Sequence, residues 1–74
     1  MLVVTLPRSA AKNPMAFART AKRAGADVLE IRTDLTPSVK KFASVLPILL
    51  AIKGKGESLM QELKPNYIDH DVRA

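Results

Sequence analysis

The chain has no cysteine and no tryptophan, and among its 74 residues there are one histidine, three glycines and three aromatic side chains. Without cysteine, neither a disulfide nor a thiolate metal site can compensate for a small core, and one histidine is too few for a zinc centre of the usual kind. No metal is therefore expected. Three aromatics are too few for the stacking platforms that hold single-stranded nucleic acid. Long apolar runs are missing as well. Leu2 to Leu6 is short and has no basic segment before it, so it does not read as a signal peptide. Val45 to Ile52 is far too short to cross a bilayer. A soluble, cytoplasmic chain is the expectation, and the lack of cysteine fits it.

What is present is globular in composition, with 47% apolar and 26% charged residues. The length allows one small domain, and a chain of this size buries only about 60% of its unfolded surface. Twelve basic against seven acidic residues give a net charge of +5, which permits nucleic acid or anionic metabolites as partners. The basic residues are scattered, from Arg8, Lys12 and Arg19 through Lys40 and Lys41 to Lys64. No nucleic-acid motif accompanies them, so a solvated outer face explains them better.

The order of elements follows from punctuation and periodicity. Leu2 to Leu6 is an apolar, β-branched run stopped by Pro7, and predicts a buried strand. Asn13-Pro14 sets a capping residue before a proline at the first helical position. A helix is predicted from there to Ala24, with Phe17, Ala21 and Ala24 facing the core and Gly25 ending it in a left-handed conformation. Val28 to Thr33 is the second strand. Thr36-Pro37 repeats the capping device and predicts a helix to about Val45, burying Val39, Phe42 and Ala43. Ile48 to Ile52 is a third strand, apolar throughout as expected of a parallel strand covered on both sides. Lys53-Gly54-Lys55-Gly56 is a basic loop; it lacks the spacing and the Gly-Lys-Ser/Thr ending of a P-loop. Ser58 to Lys64 predicts a short helix closed by Pro65, and Tyr67 to Val72 a fourth strand. The sum is β-α-β-α-β-α-β, which implies a parallel sheet with its helices on one face if strands adjacent in sequence are adjacent in space.

Chemistry concentrates on the second strand. In an extended chain alternate side chains share a face, so Glu30, Arg32 and Asp34 lie opposite Leu29, Ile31 and Thr33. Three charges of mixed sign suggest either a polar pocket, with Glu30 and Arg32 compensating each other, or a solvated edge strand. Phase favours the pocket. Lys53 shares its side with Leu49 and Ala51, and Tyr67, Asp69 and Asp71 share another, so charges gather near the carboxyl ends of three strands. Parallel α/β folds place their sites at that end.

The run Gly25-Ala26-Asp27-Val28-Leu29-Glu30-Ile31-Arg32-Thr33-Asp34 resembles the second-strand signature of type I 3-dehydroquinate dehydratase. That family is a (β/α)8-barrel of the shikimate pathway, which leads to aromatic amino acids. Pro47 to Lys53 resembles the family's third strand, and Glu57 stands at the position of the glutamate that follows it. Tyr67 to Val72 resembles the fourth, with its Ile-Asp-x-Glu core. The resemblance covers the whole chain but only the N-terminal half of the family's barrel. It implies a single truncated domain over residues 1–74: an α/β sheet resembling half of a TIM barrel. It also implies a lyase that uses neither metal nor organic cofactor, dehydrating 3-dehydroquinate to 3-dehydroshikimate by Schiff-base chemistry. Glu30, Arg32 and Lys53 would bind substrate, Glu57 would orient the base and water as a catalytic residue, and Asp34 and Asp69 would support the site.

Departures from the pattern qualify that inference. The family's Schiff-base lysine and catalytic histidine come from later strands, and His70 is not that histidine, because it alternates with Asp69. Lys53 replaces an arginine, so a bidentate fork becomes a point charge. Asp71 takes the place of a glutamate. The chain alone is thus expected to be inactive, or to be part of a split or oligomeric assembly. A non-catalytic homo-oligomeric half-barrel that binds small anions is the alternative. Expected partners are an anionic small molecule resembling 3-dehydroquinate and either a second copy or a complementary half-barrel chain, with no membrane and no nucleic acid.

Overall fold

The computed structural model describes residues 1–54 and 58–71, with backbone alone for 70 and 71. Strand β1 (Val3–Thr5) leads through a 3-10 turn (Arg8–Ala10) to helix α1 (Pro14–Arg23), then to β2 (Val28–Arg32) and β3 (Ile48–Lys53). Helix α2 (Ser58–Leu63) and strand β4 (Tyr67–Asp71) follow. The four strands form one all-parallel sheet in the order β1-β2-β3-β4. Each strand therefore pairs with its neighbour in sequence, as the pattern of elements predicts.

Helix α1 forms where its punctuation says it should. The Asn13 side chain accepts a hydrogen bond from the Ala16 amide at 3.3 Å, and Pro14 sits in the first turn, where a missing N–H costs nothing. Gly25, at φ +99°, ends the helix in the left-handed region. The buried face is rotated from the predicted one. Pro14, Ala18 and Ala21 are buried, Phe17 is half-buried against the core, and Ala24 is exposed at the C-cap, where the chain turns away.

The predicted helix from Thr36 to about Val45 does not form. Residues 33–47 cross from β2 to β3 as turns and irregular chain. The Thr36 hydroxyl points backward and donates to the Arg32 carbonyl at 3.3 Å, as does the Thr36 amide at 3.0 Å, so the hydroxyl closes the preceding turn and does not cap a following helix. Downstream, the Lys41 amide donates to the Glu62 carboxylate at 3.3 Å, and the Ser44 hydroxyl bonds both the amide and the carbonyl of Leu46. Each of these takes a backbone group that a helix would have used. Val39 is buried as predicted and Phe42 is half-buried, but Ala43 is exposed and Leu46 fills the core instead.

The core lies on one face of the sheet. Leu29 and Ile31 of β2 and Ile48, Leu50 and Ile52 of β3 pack with Ala18 and Ala21 of α1, Leu59 and Leu63 of α2, and Val39 and Leu46 of the crossover. Both helices therefore cover the same face. Helix α2 ends at Leu63, one residue before the predicted Lys64, which adopts the left-handed conformation at φ 47°. The strand predicted as buried at the N-terminus is the edge of the sheet: Leu2 and Val3 are 49% and 42% exposed, and only Leu6 is fully covered.

Candidate functional site

Strand β2 is interior, flanked by β1 and β3, so its charges are not those of a solvated edge. In a parallel sheet, residues paired across strands point to the same side. The register Thr5↔Glu30↔Leu49↔Tyr67 and the next row, Arg32↔Ala51↔Asp69, fix the composition of the open face. Val3 and Val28 precede these rows and Lys53 follows them. The face thus changes character along the strands. The Val3↔Val28 row is apolar, the next sets Thr5 and Glu30 beside Leu49 and Tyr67, and the rows beyond it carry Arg32, Asp69 and Lys53.

The apolar residues of the first two rows share a hollow. Met1 and Val3 from one edge and Tyr67 from the other line a single cavity of about 290 Å³, with Val28 and Leu49 as its floor. Residues of both edge strands and both interior strands line this one hollow, as in a sheet bent around it. This is the concave side of a half-barrel-like arrangement.

Within the charged rows, partners differ from the predicted ones. Glu30 is half-buried and accepts a hydrogen bond from the Thr5 hydroxyl at 2.6 Å across the β1–β2 ladder. Arg32 donates to Asp34 through Nε at 3.1 Å and Nη2 at 2.7 Å, a bidentate fork between side chains 37% and 39% exposed. That pairing holds the Asp34 carboxyl below its ordinary value, and the charge of Lys53 adds to the shift. Asp34 fixes Arg32 from the turn beyond the strand. Glu30, held by Thr5, presents its carboxylate to the concave side.

Lys53 is positioned by a residue the sequence reading overlooked. The Thr33 hydroxyl, 2% exposed on the core side, accepts from the Lys53 amide at 2.8 Å and donates to the Lys53 carbonyl at 3.1 Å. It clamps the last residue of β3 to the end of β2. Thr5 was overlooked too. The signal that marks both is a threonine at a strand terminus opposite a charged or terminal residue of its neighbour. Asp69 lies exposed on β4, level with Ala51 and about 10 Å across the sheet from Arg32 by strand spacing. Position 71 is registered against Lys53 and position 70 against Ile52. Glu57, the predicted catalytic residue, lies outside the described residues.

The structure therefore brings Glu30, Arg32 and Lys53 onto one face of the sheet, with Asp69 two strands away in the row of Arg32. Two cations among three carboxylates, one of which already holds Arg32, suit a ligand that carries both a carboxylate and hydroxyl groups: the cations meet the former and the remaining acids accept from the latter. Among the described residues no cluster of His, Cys, Asp and Glu is arranged to hold a metal. No described helix is long and apolar enough to cross a membrane.

Fold and face together define a small all-parallel α/β protein with one covered and one concave side. Comparison with protein-family models, with curated proteins and with solved structures finds no match to the chain.

Proposed function

We propose that this chain is a half-barrel relative of type I 3-dehydroquinate dehydratase that retains substrate-contacting side chains and has no lyase activity by itself. Its ligand would be a small hydroxylated carboxylate resembling 3-dehydroquinate. The observation that carries this reading is the shared position of Glu30, Arg32 and Lys53 on the concave face of the sheet. Arg32 and Lys53 would receive the ligand carboxylate. Glu30, and Asp69 at the far side, would accept from its hydroxyls. The lysine and histidine that perform the family's Schiff-base and proton-transfer steps have no counterpart by position in these 74 residues.

Incubation of the purified chain with 3-dehydroquinate, followed by the enone absorbance of the product, tests the chemistry. No product is expected. Reduction of the mixture with borohydride should leave Lys53 unmodified, and an adduct there would make Lys53 a nucleophile and overturn the non-catalytic reading. Binding is tested separately by titrating 3-dehydroquinate against the chain. Arg32→Met should weaken any affinity at least tenfold, whereas equal affinity in the variant would remove the site from this face.

A second reading is a split enzyme, in which a complementary chain supplies the later strands. The edges of β1 and β4 favour it, because no other described strand pairs there and a second half could attach. Mixing with a chain carrying those strands would then restore product formation.

A further inference from the structure

Of the large apolar residues that stand exposed, five lie on or immediately before the two edge strands: Met1 at 96%, Leu2 at 49%, Val3 at 42%, Tyr67 at 54% and Ile68 at 46%. They face both ways. Val3 and Tyr67 belong to the concave side, and Ile68 pairs in register with Leu50 on the core side. A ligand in the hollow would cover the first two and leave Ile68 in water. Another strand alongside each edge would cover both faces at once. Strand β1 (Val-Val-Thr) is short and carries no charge, and β4 (Tyr-Ile-Asp-His-Asp) begins with two exposed apolar residues.

We propose that a second copy of this chain closes the sheet: β4 of each copy pairs in parallel with β1 of the other, giving a two-fold symmetric barrel. Four strands in simple sequential order, taken twice, make eight, the number at which a parallel barrel is closed and filled by its own side chains. Each β4–β1 contact is head-to-tail, and the ring stops at two copies because eight strands complete the barrel. The layers match. Val3, Val28, Leu49 and Tyr67 of one copy meet the same residues of the other and fill the hollow. In the charged rows Glu30, Asp34 and Asp69 interleave with Arg32 and Lys53, so acids of one copy can meet bases of the other, although the chain as a whole carries +5. Because the new strand pairs are parallel, both charged layers open at one mouth. The ligand site would then be built from two copies of Glu30, Arg32 and Lys53.

This inference deepens the half-barrel reading and is independent of the ligand. A dimer that ignores 3-dehydroquinate would refute the ligand and leave the closure standing. The test is mass by light scattering over a dilution series, combined with hydrogen exchange of the same samples. The expected result is a particle of twice the 8.1 kDa chain, with amides of β1 and β4 losing protection as the dimer dilutes. Tyr67→Lys or Val3→Lys should weaken dimerisation at least tenfold. Met15→Lys, which alters an exposed apolar residue of α1 away from both edges, should leave it unchanged. A monomer throughout, a ladder of larger species, or protection that changes on α1 in place of the edges would each overturn the proposal. The exchange measurement on the unaltered chain decides the matter even if a lysine variant fails to fold.

Discussion

The two faces of the sheet come from the same strands one residue out of phase, yet they obey different rules. On the helix side Leu29, Ile31 and Leu50 are fully buried, and Ile48 and Ile52 are nearly so. On the concave side Glu30, Arg32, Leu49 and Lys53 are only half-covered, although Val28 and Ala51 between them are buried. The first face is finished within one chain. The second grades from an apolar row through a mixed one to charged rows, an arrangement suited to an occupant in the hollow. Stability should therefore reside on one side of β3 and recognition on the other.

The largest test of that division is a pair of truncations on adjacent residues. Leu50→Ala removes a fully buried side chain and should cost about 2–5 kcal/mol. A domain this small has total stability toward the low end of the usual range of about 5–15 kcal/mol, so the variant should be close to unfolding in water. Leu49→Ala, one residue earlier on the open face, should cost roughly a third as much in the monomer, since less area leaves water. Urea denaturation of both variants measures the difference. Equal losses would mean that the concave face is already covered in solution.

Next in size is the Thr33 clamp. Thr33→Val keeps the shape but leaves the Lys53 amide and carbonyl without the hydroxyl that meets them. The expected cost is about 1–3 kcal/mol, with faster hydrogen exchange confined to the ends of β2 and β3. A smaller loss, about 1 kcal/mol, is expected for Thr5→Val, which deprives Glu30 of its hydroxyl partner. The two variants separate the roles of the faces. Thr33→Val should reduce stability by urea denaturation, whereas Thr5→Val should act more on ligand affinity by loosening Glu30.

How far the residues alone reveal this arrangement depends on the range of the forces involved. Strands β2 and β3 are legible to within a residue because β-branched and apolar runs between Gly25, Pro47 and Gly54 leave few alternatives. The cap at Asn13 and the stop at Gly25 are local chemistry and hold. Thr36-Pro37 carries the same local signal and misleads, since its outcome is decided by distant competitors such as Glu62 on the Lys41 amide. The shared face of Glu30, Arg32 and Lys53 follows from strand phase and parallel order, both readable. Their partners are not. Whether Arg32 meets Glu30 or Asp34 depends on where the chain turns after the strand, and Thr5 reaches Glu30 only once the β1–β2 register is set.

The smallest expected effect belongs to the Arg32–Asp34 pair, and it distinguishes positioning from stabilisation. The pair is exposed enough for solvent and salt to screen it, so its removal should scarcely alter stability near neutral pH. Its signature lies in acid. Hydrogen bonding from Arg32 lowers the folded-state pKa of Asp34 below the ordinary 3.8. Its contribution is therefore fully present above that value and fades as pH falls through the lowered one, when the native carboxylate finally takes up its proton. In Arg32→Met the Asp34 titration, followed by carboxyl NMR, should move up toward the ordinary value while the urea midpoint at neutral pH stays nearly unchanged. If the midpoint falls sharply and the titration does not move, the charged layer is part of the fold's framework, and the division between a stabilising face and a recognising one fails at its most exposed point.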